Sequence, residues 1–100
     1  MLHHVTLWVP DLGRAERSWG WLLGALDYVL DPSLATVLLF RHVSGFAVAL
    51  EQSSDMVPGM LYSRLRPGLN HLAFLASPAA FQTITAGADD HGWVALPSDR

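Results

Sequence analysis

At the start of the chain apolar and polar positions alternate with a period of two. Val5, Leu7 and Val9 stand against His4, Thr6 and Trp8, which predicts a strand over residues 2–9 whose second, mixed face suits a pocket wall. The period then lengthens. Ala15, Trp19, Leu22, Leu23 and Leu26 recur at steps of three and four, the stripe of an amphipathic helix over 12–26 packed on a sheet. Asp11 reads as its N-cap, and Arg14, Glu16 and Arg17 fall on its solvent side. A short strand is expected at 28–30, closed by the turn-forming Asp31-Pro32-Ser33, and an apolar strand covered on both faces at 34–41. A hairpin connection at 42–45 leads to a strand over 46–52, with Phe46, Val48 and Leu50 on one face and Ala47, Ala49 and Glu51 on the other.

The opening pattern then returns. Gly68-Leu69-Asn70-His71-Leu72-Ala73-Phe74-Leu75-Ala76 repeats the apolar spacing of Leu2-His3-His4-Val5-Thr6-Leu7-Trp8-Val9, with His71 lying 67 residues after His4. In each copy two large apolar residues share one strand face and the histidine takes the other. Each copy also runs into a helix start, Pro10-Asp11 in the first and Ser77-Pro78 in the second. The second helix is expected over 78–91 with a weaker stripe of Phe81, Ile84 and Ala88, Gly92 as its C-cap, and a further strand beginning over 93–96 before Pro97-Ser98-Asp99-Arg100. The organisation is a single α+β domain over 1–100. A first βαβββ module fills 1–52, a connector rich in turn residues 53–68, and a partial second module 69–100. By the repeat spacing a complete second module runs to about residue 119. The shortfall predicts unpaired sheet edges, and so a homodimer or an exchanged segment.

Composition narrows the function classes. With 51% hydrophobic and 15% charged residues, the chain carries a core of its own. A net charge of -3 with 6 Lys plus Arg offers no basic stripe, which argues against nucleic acid. Zero cysteines remove disulfides and thiolate ligands, and fit a cytoplasmic protein. No stretch reaches the roughly 18–20 apolar residues of a membrane span, and the N-terminus lacks a leader pattern.

Paired modules with a histidine in the first strand of each resemble the vicinal oxygen chelate superfamily, which includes glyoxalase I, extradiol dioxygenases, and fosfomycin and bleomycin resistance proteins. The likeness rests on residues 2–12, on Arg66-Pro67-Gly68-Leu69-Asn70-His71-Leu72-Ala73-Phe74 and on Gly92-Trp93; residues 28–41 match poorly. It implies a divalent ion (Fe, Ni, Zn or Mn) inside the curved sheet, held by the two strand histidines and by glutamates from the last strand of each module. His4 and His71 match the histidine positions. The first glutamate position falls on Ala49, which has no donor; Glu51, two residues on and on the same face, is the substitute ligand. The second glutamate falls near residue 116, about one repeat offset on and past the sequence in hand.

Two histidines and one carboxylate with open positions suit an ion that binds a substrate through two adjacent oxygens. The leading expectation is therefore a metal-dependent lyase or dioxygenase acting on a small vicinal-oxygen substrate, with His4, His71 and Glu51 as ligands and Trp8 and Thr6 against the substrate. The competing expectation is a metal-free module that sequesters an aromatic or drug-like molecule, and a third is an inactive shortened form. Of the other histidines, His3 reads as a partly buried, hydrogen-bonded residue on the core side, and His42 and His91 as turn and helix-end residues. Arg64 and Arg66 sit in the connector and offer a cationic contact for an anionic group.

Overall fold

A computed structural model describes residues 1–96; the expected terminal Pro97-Ser98-Asp99-Arg100 lies outside them. Four strands form one sheet: β1 (His4–Trp8), β2 (Tyr28–Asp31), β3 (Val37–His42) and β4 (Ala47–Glu51), in the spatial order β1-β4-β3-β2. Helix α1 (Leu12–Ala25) links β1 to β2, and α2 (Pro78–Gly87) follows the connector. The β2-β3 and β3-β4 pairs are antiparallel, whereas β1 runs parallel to β4. Since a parallel pair needs a long crossover, the whole of α1, β2 and β3 intervenes between its two strands.

Both caps read from the sequence are formed. The Asp11 carboxylate accepts from the Arg14 amide, and Ser77 Oγ from Ala80, with Pro78 opening α2. A second donor at the start of α1, the Leu12 amide, is satisfied by Gln52 Oε1 at 2.8 Å, which ties the helix to the end of β4. The apolar stripe of α1 covers one sheet face. Ala15 and Leu23 meet Phe40, Val48 and Leu50 in the buried core, with Val5, Leu7 and Trp19 packed around them. Leu23, Val48 and Leu50 are fully enclosed.

Three sequence expectations are corrected. Strand β3 begins at Val37 and is half-buried along most of its length, because residues 32–36 form an exposed loop. Residues 69–76 keep the predicted alternation, Leu72 and Phe74 turned inward and His71 outward, yet form no ladder with any described strand. Residues 93–96 likewise are not a strand. A strand is a relation between two chains of backbone, and alternation alone secures only the face that each side chain takes.

The second helical region docks on the outside of α1 through aromatic contacts. α2 ends at Gly87, and a short 3-10 turn at Asp89–His91 brings His91 flat against Trp21, with ring centroids 4.2 Å apart and an interplanar angle of 1°. Trp93 then sits edge-on to Trp19 at 4.9 Å and donates its indole N–H to the Ser18 carbonyl at 2.9 Å. Gly92 makes the turn between them in the left-handed region, φ 85°. A β-carbon at Gly87 would lie 2.8 Å from Trp21 Cζ2. Gly→Ala in a helix ordinarily stabilises by about 0.5–1 kcal/mol. Here the sign reverses: Gly87→Ala lowers the melting temperature of the parent, and Trp21→Ala in the same chain restores the ordinary gain, as thermal denaturation of the single and double variants will read.

Candidate functional site

Register decides which side chains meet on the sheet face opposite α1. His4 pairs with Ala47, Thr6 with Ala49 and Trp8 with Glu51. Across the next ladder Ala47 pairs with Arg41, Ala49 with Leu39 and Glu51 with Val37. Three rows therefore cross this face: His4-Ala47-Arg41, Thr6-Ala49-Leu39 and Trp8-Glu51-Val37. A cavity of about 230 Å³ opens on it. Ala47 and Ala49 lie between the taller side chains of β1 and β3, and Leu34 from the exposed loop completes one side. His4 and Thr6, both expected at the site, line this cavity.

The other expected residues are placed differently. Trp8 is 53% exposed and donates its indole N–H to Glu51 Oε1 at 2.9 Å, so these two form a pair of their own at the far end of the face. Glu51 stands four residues beyond Ala47, the residue opposite His4, or about 13 Å along the strand at about 3.3 Å per residue. Side chains of parallel aim at that separation do not converge on one ion. Position 49, about half as far along and diagonal to His4, is where a carboxylate would reach, and alanine occupies it. His71 is exposed, with Nδ1 2.9 Å from Asn70 Oδ1; that oxygen accepts, so the ring N–H at Nδ1 donates. His71 does not line the cavity beside His4. Among the described residues no three His, Asp, Glu or Cys side chains form a group able to hold a metal ion. Among the described residues the donors thus fall short of the three-ligand set implied by the resemblance.

His3 corrects another expectation. It precedes β1 and is exposed, and its Nδ1 lies 2.9 Å from His4 Nδ1, one ring donating to the other, at the mouth of the same cavity. The partly buried core histidine expected from alternation is absent because the strand starts one residue later.

Arg41 and Asp31 were missed. By alternation and turn chemistry alone Arg41 reads as the end of a fully covered strand, and Asp31 as a turn residue. In the structure Arg41 Nε donates to Asp31 Oδ2 at 3.1 Å, while Asp31 Oδ1 accepts from both the Ser33 hydroxyl, 2.6 Å, and the Ser33 amide, 2.9 Å. A lone arginine at a period-two position between Leu39 and Val43 was the available signal, since such a charge must face away from the core. The hydroxyl of Ser33, then its amide, then the Arg41 guanidinium pull the Asp31 carboxyl down to about 2. A depressed carboxylate contributes stability above the unfolded-state value, near 4, and loses it as pH falls toward 2. NMR titration of the Asp31 side-chain carbon should give a midpoint near 2, and Ser33→Ala should move it back toward the ordinary value because both the first cause and the turn are weakened.

A second, larger cavity of about 430 Å³ opens beside the helix-covered face, between Tyr28, Phe46 and the inward side chains Leu72 and Phe74. Phe74 meets Tyr28 edge-on at 6.1 Å. This space is mostly apolar, with His42 and Ser44 as its polar lining, and neither His4 nor His71 lines it.

The sequence profile of the Glyoxalase/Bleomycin resistance protein/Dioxygenase superfamily matches residues 3–100. A Bacillus subtilis (strain 168) protein, YqjT, is 32% identical over 100 residues, covering 99% of this chain and 77% of its own length. A crystal structure described as that of a candidate glyoxalase from Bacillus halodurans is 34% identical, superimposes with a TM-score of 0.83, and is matched over 100% of this chain and 75% of that one. The fold is shared as well by a glyoxalase/dioxygenase from Nostoc punctiforme, at 21% identity and a TM-score of 0.69 over 97% of this chain and 74% of that one. With the βαβββ arrangement, the histidine-bearing first strand and a profile match over nearly the full sequence, the chain belongs to the glyoxalase/bleomycin resistance/dioxygenase superfamily.

Proposed function

We propose that this protein binds a small organic molecule on the open face of its sheet without a metal ion, in the manner of the resistance-type members of its superfamily. One observation carries the reading: the position diagonal to His4, where a metal-binding carboxylate would stand, is Ala49, and the space it leaves is part of the cavity. Among the described residues the carboxylates of that face are engaged, Glu51 by Trp8 and Asp31 by Ser33 and Arg41. Apolar floor and walls with a few polar groups at one end are the usual make-up of a small-molecule site. At about 230 Å³ the cavity lies below the roughly 300–1,000 Å³ of drug-sized sites, so the ligand is correspondingly small.

The homodimer expected from the sequence belongs to the same proposal. It is supported by the extended, unpaired run at 69–76, with Leu69 and Leu75 exposed, and by Phe81, 62% exposed on α2. No helix among the described residues is long and apolar enough to cross a membrane.

The test is a small-fragment screen followed by backbone amide NMR in the presence of EDTA, with the mass determined by sedimentation. The proposal expects hits that shift Thr6, Ala47 and Ala49, that survive the chelator and that are lost in Ala49→Trp, which fills the floor, in a particle of two chains. Binding that disappears with EDTA and returns with added metal would instead support the lyase or dioxygenase reading with His4, His71 and Glu51 or a partner-chain carboxylate as ligands. A single-chain mass would remove the dimer.

A further inference from the structure

The three rows of the open face are not equivalent in charge. The row at one end holds His4 and Arg41 on either side of Ala47, with His3 hydrogen-bonded to His4 beside them. The row at the other end holds Glu51 and Trp8. Between them the middle row runs Thr6-Ala49-Leu39 and continues to Asp31 on β2, with an apolar floor at Ala49 and Leu39 and polar ends. Two strand spacings, about 10 Å, separate the backbones of His4 and Arg41. Alanine between them leaves the gap open to a group that both side chains can reach.

Arg41 is held for that task. Its single ion pair, through Nε to Asp31, fixes the guanidinium by one edge, and Asp31 is itself fixed by the Ser33 amide and hydroxyl. Among the described residues no hydrogen bond uses the terminal nitrogens of Arg41, and its side chain remains 53% exposed at the cavity. A guanidinium with a free planar fork matches the two oxygens of a carboxylate. The imidazole pair adds an N–H donor on the opposite side. Glu51 repels an anion at the other end, while the Asp31 charge is taken up by Ser33 and Arg41 Nε, so the ligand lies with its apolar body over Ala49 and Leu39.

Building on the small-molecule reading above, we infer that the ligand is a monocarboxylate with a small apolar body, its carboxylate seated over Ala47 between the Arg41 fork and the His3-His4 pair. Specificity for charge then comes from Arg41, and the fit of the body from the alanine floor. Asp31 is a positioning residue, acting only through Arg41.

Benzoate and its uncharged counterpart benzamide, titrated separately into the full-length protein at pH 7.5 with EDTA and followed by backbone amide NMR, test the assignment. Benzoate should shift Thr6, Ala47 and Ala49 and bind at least about tenfold more tightly than benzamide, a difference in line with a charge-assisted bidentate pair. Arg41→Met should abolish that preference, and Arg41→Lys, which keeps the charge without the fork, should fall between. The comparison of the two probes on the parent needs no variant and stands even if a substitution perturbs folding. Equal affinities, no benzoate binding, or a preference that survives Arg41→Met overturns the assignment; fragments binding the same face without regard to charge would then leave the open-face reading intact. Failure of every fragment along with both probes would remove that reading too.

Discussion

The parallel ladder between β1 and β4 is the constraint on which the rest of the molecule depends. It joins the first strand to the last of the sheet and is extended at both ends by backbone bonds, from Ala47 to His3 and from Val9 to Glu51. With residues 47–50 all buried, β4 has no freedom to shift register, since a slip of one residue would send Val48 and Leu50 to the open face and Ala47, Ala49 and Glu51 into the core beneath α1. The same register fixes the site. His4 faces Ala47 rather than Glu51, and the two β4 positions beside or diagonal to it, 47 and 49, are both alanine.

Much of this was legible in the sequence because it is local. Face assignments follow from alternation with a period of two, and they hold for Val5 and Leu7, for Val48 and Leu50, and even for the unpaired Leu72 and Phe74. The caps at Asp11 and Ser77 need only side-chain chemistry a few residues away. What the sequence withheld is non-local. Register between β1 and β4 is a property of strands more than 30 residues apart, so neither the distance of Glu51 from His4 nor the presence of Arg41 in the row of His4 could be read. The docking of Trp21 on His91 and Trp93 on Ser18 is equally remote in sequence and leaves no periodic trace. His3 was misplaced by a single residue at a strand start, which is where pattern reading is least exact.

Chemically, the open face exchanges one kind of recognition for another. Relatives of the metal-using kind hold an ion by converging donors; here the corresponding floor is alanine, and the polar groups have moved to the ends of the face. Trp8 and Glu51 satisfy each other at one end, and Arg41, supported by Asp31 and Ser33, stands with the histidine pair at the other. On the proposed reading, a preorganised guanidinium at the rim of an apolar trough would recognise charge and shape together without an ion.

The most direct measurement of this account is the metal content of untagged protein expressed with iron, nickel, zinc and manganese all available, for the parent and for His4→Ala and His71→Ala. The account predicts far less than one ion per chain in the parent and no change in either variant. Near-stoichiometric metal that both substitutions abolish would contradict it, and would mean that the two histidines find their missing carboxylate elsewhere.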